Sequence, residues 1–283
     1  MPCFHPSRVE VRRKSFVSSN RIAYVQVVPC GSCSGCRAEQ ARQWAVRMMH
    51  EARMHDFAWF LTLTYAEEHL PENGSLCPAD LRSFVRDLRR EYPPRSVSYF
   101  TCGEYGEVTQ RPHYHAVLFG VPFVDRYVDN LCGRPQVWRS SGLERIWGRG
   151  ICEFSPVTMG SASYVAGYVT KKLASQGDYV AEDTGECLVR PFARMSLKPA
   201  IGRRWIEKYW TDVYPRDFVV VDGVESKPPR YYDKWMDKYH PDVMETVRVK
   251  RYEEMVELGP RELDAAERVY NARRKLFASR GAV

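Results

Sequence analysis

RPHYHAVLFG, residues 111–120, sets two histidines one residue apart at the head of an apolar run. A β-strand alternates its side chains, so His113 and His115 share one face while Tyr114 takes the other. Two imidazoles side by side form half of a divalent-metal site, and a third ligand has to come from a neighbouring element. The preceding segment SVSYFTCGE, 96–104, also reads as a strand, and the polar connection YGEVTQRP makes the two an antiparallel hairpin. That pairing brings Glu104 beside the imidazoles, with Glu107, deeper in the turn, as the weaker alternative. Two histidines and a carboxylate leave open positions for water or a phosphate oxygen, which suits Mg²⁺ or Mn²⁺ acting as a Lewis acid.

Outward from the hairpin, the 37–55 stretch places Trp44, Met48 and the surroundings of Ala52 on one helical side with arginines on the other. WFLTLTY, 59–65, is a strand by its β-branched and aromatic content. Leu81, Phe84, Val85 and Leu88 repeat at helical spacing over 79–91, leaving a basic remaining face. Residues 121–150 are rich in Gly, Pro and charge, with one short helical piece, SGLERIW; ICEFSPVT, 151–158, is a further strand. SASYVAGYVTKKLAS, 161–175, reads as a helix with a serine cap. The order strand, helix, strand, strand, loop, strand, helix predicts an α+β fold of ferredoxin-like kind, an antiparallel central sheet with helices on one face. Composition divides the chain into an N-terminal extension (1–36), a central domain (37–190) and a basic, Pro-punctuated C-terminal extension (191–283) that ends in a charged amphipathic helix over 262–277.

The helix after the last strand carries a second chemical pattern. Tyr164 and Tyr168 are four residues apart and so lie one above the other, and Lys171 returns to that face three residues later. A lysine beside two phenols makes a poor core and a good anion site. A tyrosine hydroxyl placed against a metal-bound phosphate is a nucleophile that conserves the phosphodiester as a phosphotyrosine. Two hydroxyls allow two successive transesterifications.

The 283 residues, 44% hydrophobic, suffice for a full core. Lys and Arg total 42 against 35 Asp and Glu, a charge of +7 that suits a polyanion partner without demanding one. No apolar run of about 18 residues and no signal-peptide core are present, so a soluble, non-exported protein with no membrane partner is expected. Nine cysteines without a secretory signal read as reduced thiols. Cys30, Cys33 and Cys36, spaced C-x2-C-x2-C, are three ligands for a structural Zn²⁺, with Cys3 or His5 the nearest fourth; the other reading is thiols packed at a helix start.

PCGSCSGCR with the helix after it, FLTLTY, CGEYGE, RPHYHAVLFG, YVAGYVTKK, MSLKPAIG and PPRYYDKW together resemble the replication initiators of small single-stranded DNA phages. The resemblance is to the gokushovirus branch of the microviruses, in the HUH endonuclease superfamily, and it spans about residues 28–237. The tyrosines follow the histidine motif, as in the replication class and unlike relaxases. Tyr114 departs from the aliphatic residue usual at that position. The resemblance implies the HUH endonuclease fold and a rolling-circle initiator in the host bacterial cytoplasm. Tyr164 or Tyr168 would nick origin DNA and hold its 5′ end, and a host polymerase and helicase would extend from the free 3′-hydroxyl. The other tyrosine would later cut the regenerated origin, and the released 3′-hydroxyl would reclose the circle. His113, His115 and Glu104 would hold the metal, and Lys171 would stabilise the charged transition state. Arg111, Lys172, Arg203 and Arg204 are the cations expected on the DNA backbone. A non-catalytic DNA-binding or packaging protein with a zinc module, and a metal-dependent phosphodiester hydrolase, remain the competing readings.

Overall fold

The computed structural model describes residues 3–14, 21–93, 97–106, 108–129, 137–171, 179–180, 185–256 and 258–280. They form two compact units, one of Met1–Gln40 with Arg251–Val283 and one of Ala41–Lys250. The boundaries read from composition, at 36 and 190, fall inside these units.

The first unit holds an antiparallel hairpin of β1 (Ser7–Lys14) and β2 (Arg21–Val28), which the sequence reading left without structure. The helix α1 (Ser34–Ala52) starts in it. The second unit is built on β3 (Ala58–Thr64), α2 (Pro78–Glu91), β4 (Ser98–Tyr105), β5 (Pro112–Phe119), β6 (Arg126–Asp129) and β7 (Val137–Ser140). It continues through α3 (Ser141–Trp147), β8 (Cys152–Pro156), α4 (Met159–Lys171) and β9 (Phe192–Met195). After these come α5 (Arg203–Val213), the small hairpin β10 (Val219–Val221) and β11 (Val224–Ser226), α6 (Arg230–Tyr239), α7 (Pro241–Glu253) and, in the first unit, α8 (Pro260–Arg280).

Seven strands form one antiparallel sheet in the order β6-β7-β8-β3-β5-β4-β9, the α+β architecture expected. Two of its strands, β6 and β7, lie in the stretch read as loop, because four-residue strands of mixed polarity carry too little periodicity to register.

Helices cover both faces of the sheet, where the sequence reading put them on one. Tyr114, Ala116 and Leu118 of β5 pack with Leu81, Phe84, Val85 and Leu88 of α2 and with Leu143 and Trp147 of α3. Val117 and Phe119, on the opposite face, pack with Ala45 and Met48 of α1 and with Ala162, Val165 and Ala166 of α4. The physical reason is legible in β5 itself: AVLF has no polar alternation, and a strand apolar on both sides must be covered on both.

Tyr114 has a specific reason to be a tyrosine. Its buried hydroxyl accepts from the Cys77 N–H at 2.7 Å, donates to the Cys77 carbonyl at 3.0 Å and lies 3.0 Å from the Tyr65 hydroxyl. This closes the loop ahead of α2 against the sheet. The ring crosses Gly103, where an added Cβ would stand 3.1 Å from it and 3.0 Å from Leu76 Cδ2, so the glycine of the CGE motif makes room for it. Tyr114→Phe deprives the Cys77 amide and carbonyl of this partner and should lower stability by about 1–3 kcal/mol in urea unfolding.

On α1, Arg47 is buried and not on the solvent side with the other arginines. Its guanidinium donates to the Ile201 carbonyl at 3.0 and 2.9 Å and lies 4.0 Å from the ring centroids of both Trp44 and Tyr231. Donor pairing and aromatic stacking offset the cost of burying that charge. One turn on, His50 is fully buried, stacked 3.5 Å from Trp205 and bonded through Nδ1 to the Tyr232 hydroxyl at 2.9 Å. Burial, with help from Arg53, pushes its pKa down to about 3. Its folded pKa lies below the unfolded one, so below about pH 6.5 the unfolded chain takes up a proton that the folded chain refuses, and stability falls as pH falls. From pH 7 to pH 5 the stability advantage of the wild type over His50→Gln should shrink by about 2 kcal/mol; a constant gap would show that His50 titrates normally.

Candidate active site

The β4–β5 register sets Glu104 opposite His113 and Cys102 opposite His115, so the carboxylate and both imidazoles share the α1/α4 face of the sheet. Glu104 Oε1 lies 2.7 Å from His113 Nε2 and 2.8 Å from His115 Nε2. One ligand atom from each of the three residues lies within 4.8 Å of the others, the convergence a single cation needs. Glu107 lies outside the described residues.

The other ring nitrogens show which atoms face the cluster. His113 Nδ1 stands 3.2 Å from the Arg111 carbonyl, which can only accept, so Nδ1 carries the proton. A neutral His113 then aims the lone pair of Nε2 at a carboxylate oxygen, and two acceptors at 2.7 Å require a proton or a cation between them. The donor set therefore fits a divalent metal. Burial opposes ionisation of Glu104, but its close contacts with His113, His115 and the Tyr164 hydroxyl outweigh it and hold its pKa at about 2. For His113, burial lowers the pKa, yet Glu104 and the Arg111 carbonyl raise it above its ordinary value.

His115 is oriented by two residues that the sequence reading did not single out. Thr62, its direct partner on β3, places Oγ1 3.1 Å from Nδ1, and Phe60 stacks on the ring at 5.3 Å. FLTLT sets threonines 62 and 64 on one strand face behind Phe60, and that polar pair was the available signal. Thr62→Val, which suits a strand but cannot bond Nδ1, should weaken Mn²⁺ affinity about 10- to 100-fold in a calorimetric titration.

The tyrosines arrive on α4. Its start is fixed by a reciprocal cap in which the Ser161 N–H donates to Thr158 Oγ1 at 3.1 Å and the Thr158 N–H donates to Ser161 Oγ at 2.9 Å. Ser161 is thus the inner partner of the cap, two residues inside the helix. Ala162, Val165 and Ala166 seat the helix on the sheet. Tyr164, 47% exposed, donates its hydroxyl proton to Glu104 Oε1 at 2.8 Å. That proton is then committed, so the Tyr168 hydroxyl donates to Tyr164 at 2.9 Å. Tyr168 is itself only 5% exposed. A chain of hydroxyls therefore runs from the interior of α4 to the carboxylate between the histidines.

The remaining candidates are less uniform. Lys171 ends α4, with its side chain outside the described residues, and Lys172 lies wholly outside them. Arg111 is held by Glu67 at 2.6 Å and by the Tyr65 carbonyl at 3.2 Å, so its charge is already paired. Arg203 is bound to Glu207 and to the Tyr239 hydroxyl at the start of α5, with Arg204 half-buried beside it. Cys30, Cys33 and Cys36 come together with Cys3, whereas His5 is turned to Glu267 at 2.8 Å. Among the described residues no helix is long and apolar enough to cross a membrane.

The family described as replication-associated protein ORF2/G2P matches residues 58–173, the span from β3 through the tyrosine helix. Replication-associated protein VP4 of Bdellovibrio phage phiMH2K is 37% identical over 246 residues, covering 83% of this chain and 74% of that protein. Replication-associated protein ORF2 of Spiroplasma virus 4 is 33% identical over 242 residues, covering 79% and 73%. Replication-associated protein ORF4 of Chlamydia phage 1 is 29% identical over 219 residues, covering 75% of this chain and 54% of that protein. No solved structure matches the chain. With the identity spread over most of its length, the chain belongs to the phage replication-associated proteins, the family of microvirus replication initiators.

Proposed function

We propose that the chain nicks and rejoins single-stranded DNA at a phage replication origin through a 5′-phosphotyrosine intermediate, as an HUH-type endonuclease. The observation that carries this reading is the convergence of His113, His115 and the Tyr164 hydroxyl on one oxygen of Glu104. A metal ligand set alone would suit many hydrolases. A phenol aimed into that set supplies a nucleophile other than water.

A divalent cation such as Mg²⁺ or Mn²⁺, held by Glu104, His113 and His115, supplies Lewis-acid polarisation of the scissile phosphate. Thr62 and the Arg111 carbonyl keep the two imidazoles turned with Nε2 inward. Tyr164 attacks phosphorus; the bond from its phenolic oxygen to phosphorus forms, and the bond from phosphorus to the 3′ oxygen breaks. The phenolic proton goes to solvent and the leaving 3′ oxygen takes one up, so one phosphodiester is exchanged for another. Lys171, three residues beyond Tyr168, is the cation assigned to the developing charge. A host polymerase, with a host helicase, extends the free 3′-hydroxyl in the bacterial cytoplasm. Tyr168, in contact with Tyr164, serves the second cleavage that releases and closes the circle.

The test uses labelled single-stranded oligonucleotides tiling the genome that encodes the chain, incubated with Mn²⁺ and with EDTA. Cleavage of one oligonucleotide, lost in EDTA, is the result expected; cleavage that persists in EDTA contradicts the metal assignment.

A further inference from the structure

We propose that Cys3, Cys30, Cys33 and Cys36 bind one Zn²⁺ as a structural site, separate from the cluster at Glu104. The four sulfurs lie within 4.8 Å of one another, with Cys3 and Cys33 at 3.9 Å and Cys30 and Cys36 at 4.0 Å. A tetrahedron with Zn–S bonds of about 2.3 Å separates its sulfurs by about 3.8 Å, so the cysteines already stand at ligand spacing. A disulfide needs about 2.05 Å, and all four thiols are free.

Backbone donors reach three of the four sulfurs. The Cys30 N–H donates to Cys3 Sγ at 3.2 Å, the Cys33 N–H to Cys30 Sγ at 3.4 Å and the Cys36 N–H to Cys33 Sγ at 3.4 Å. The first turn of α1 begins between Cys33 and Cys36, which adds the positive end of a 19-residue helix. Such donors stabilise negative sulfur. Cys3 contributes the ligand that the C-x2-C-x2-C run lacks and ties the chain start to the head of α1. Next to it, Phe4 is buried against Tyr270 of α8. The ion therefore fastens the first unit, whose chain ends meet in that contact.

Metal analysis of the full-length protein should find about one zinc per chain, and an organomercurial should release it into a chromogenic chelator. Cys33→Ser with Cys36→Ser should lose the zinc, while Cys187→Ser, an exposed thiol outside the cluster, should keep it. A strong chelator should lower the melting temperature of the wild type. Absence of stoichiometric zinc from the wild type, stoichiometric iron in its place, or zinc retained in the double variant would overturn the site.

An independent observation lies on the face of the sheet opposite Glu104. A cleft of about 350 Å³ between α2 and the β4–β9 edge is floored by Val85 and Tyr99 and rimmed by Arg82, Arg86, Arg89 and Arg194. Positions 82, 86 and 89 follow helical spacing, which lays three guanidinium groups along about 10 Å of α2. Arg194 faces them from β9, opposite Thr101. Asp87 pairs with Arg86 and Arg90, but among the described residues no carboxylate pairs with Arg82, Arg89 or Arg194. Cations along a groove with a half-buried tyrosine at its base are the pattern that holds a sugar-phosphate strand with a stacked base. We infer that this cleft binds single-stranded DNA flanking the nick; the inference rests on the reading that the chain acts on such DNA.

The test compares wild type with the Arg82→Gln/Arg89→Gln/Arg194→Gln variant on oligothymidylates of about 6 and about 30 nucleotides across a salt series. The long oligonucleotide should bind more weakly to the variant, with the log–log salt slope reduced by about 2, while the short one binds unchanged. An unchanged slope on the long strand, or equal losses on both, overturns the cleft assignment. A wild type that binds neither oligonucleotide overturns the underlying reading instead.

Discussion

Tyr164→Phe should reduce covalent capture of a single-stranded origin oligonucleotide by about a thousandfold or more, whereas Tyr168→Phe should leave that first cleavage within about tenfold of wild type. The asymmetry follows from geometry. Tyr164 is 47% exposed and its hydroxyl sits on Glu104, while Tyr168 is 5% exposed and meets the site through the Tyr164 hydroxyl. On a circular substrate both variants should fail, because resolution needs a second nucleophile while the first is esterified. The double variant should form no adduct. If Tyr168→Phe resolves circles normally, Tyr168 is a packing residue and the mechanism uses one tyrosine.

Glu104→Gln should be nearly as damaging. Glu104 Oε1 is the atom that His113, His115 and Tyr164 all address, and an amide cannot replace a carboxylate as the anionic member of a cation site. Loss of an outer partner of a metal ligand costs about 10- to 100-fold, so removal of the ligand charge itself should exceed about 100-fold in cleavage and in Mn²⁺ affinity. The shape of the side chain is kept, so the fold should survive, which circular dichroism and a cooperative melt would show. Near-normal Mn²⁺ binding by the variant would move the cation away from Glu104.

The cluster of Glu104, His113 and His115 with the two tyrosines was legible because its residues obey short, fixed periods. His113 and His115 share a face through the two-residue repeat of a strand, Glu104 follows from pairing across a hairpin, and Tyr164 with Tyr168 follows from the helical repeat. What escaped was set by tertiary partners. Thr62 acquires its role only when β3 lies beside β5, and Arg47 counts as a surface charge until the Ile201 carbonyl and two aromatic rings surround it. The second layer of helices was hinted at by the unbroken apolar run of β5, yet which helices cover which face depends on strand order, which no local pattern carries. Cys3 and His5 were equal candidates on spacing; the ion pair of His5 with Glu267 separates them.

In the proposed reaction a tyrosine of α4, and not water, attacks the phosphate. The most direct test is mass spectrometry of the protein after reaction with a cleavable single-stranded oligonucleotide and Mn²⁺. Proteolysis and nuclease trimming should leave a peptide containing Tyr164 that is heavier by one 5′-phosphonucleotide, with a free 3′-hydroxyl on the released strand. Cleaved DNA bearing a free 5′-phosphate, with no modified peptide at Tyr164 or Tyr168, would contradict the account and identify the site as a metal-dependent hydrolase.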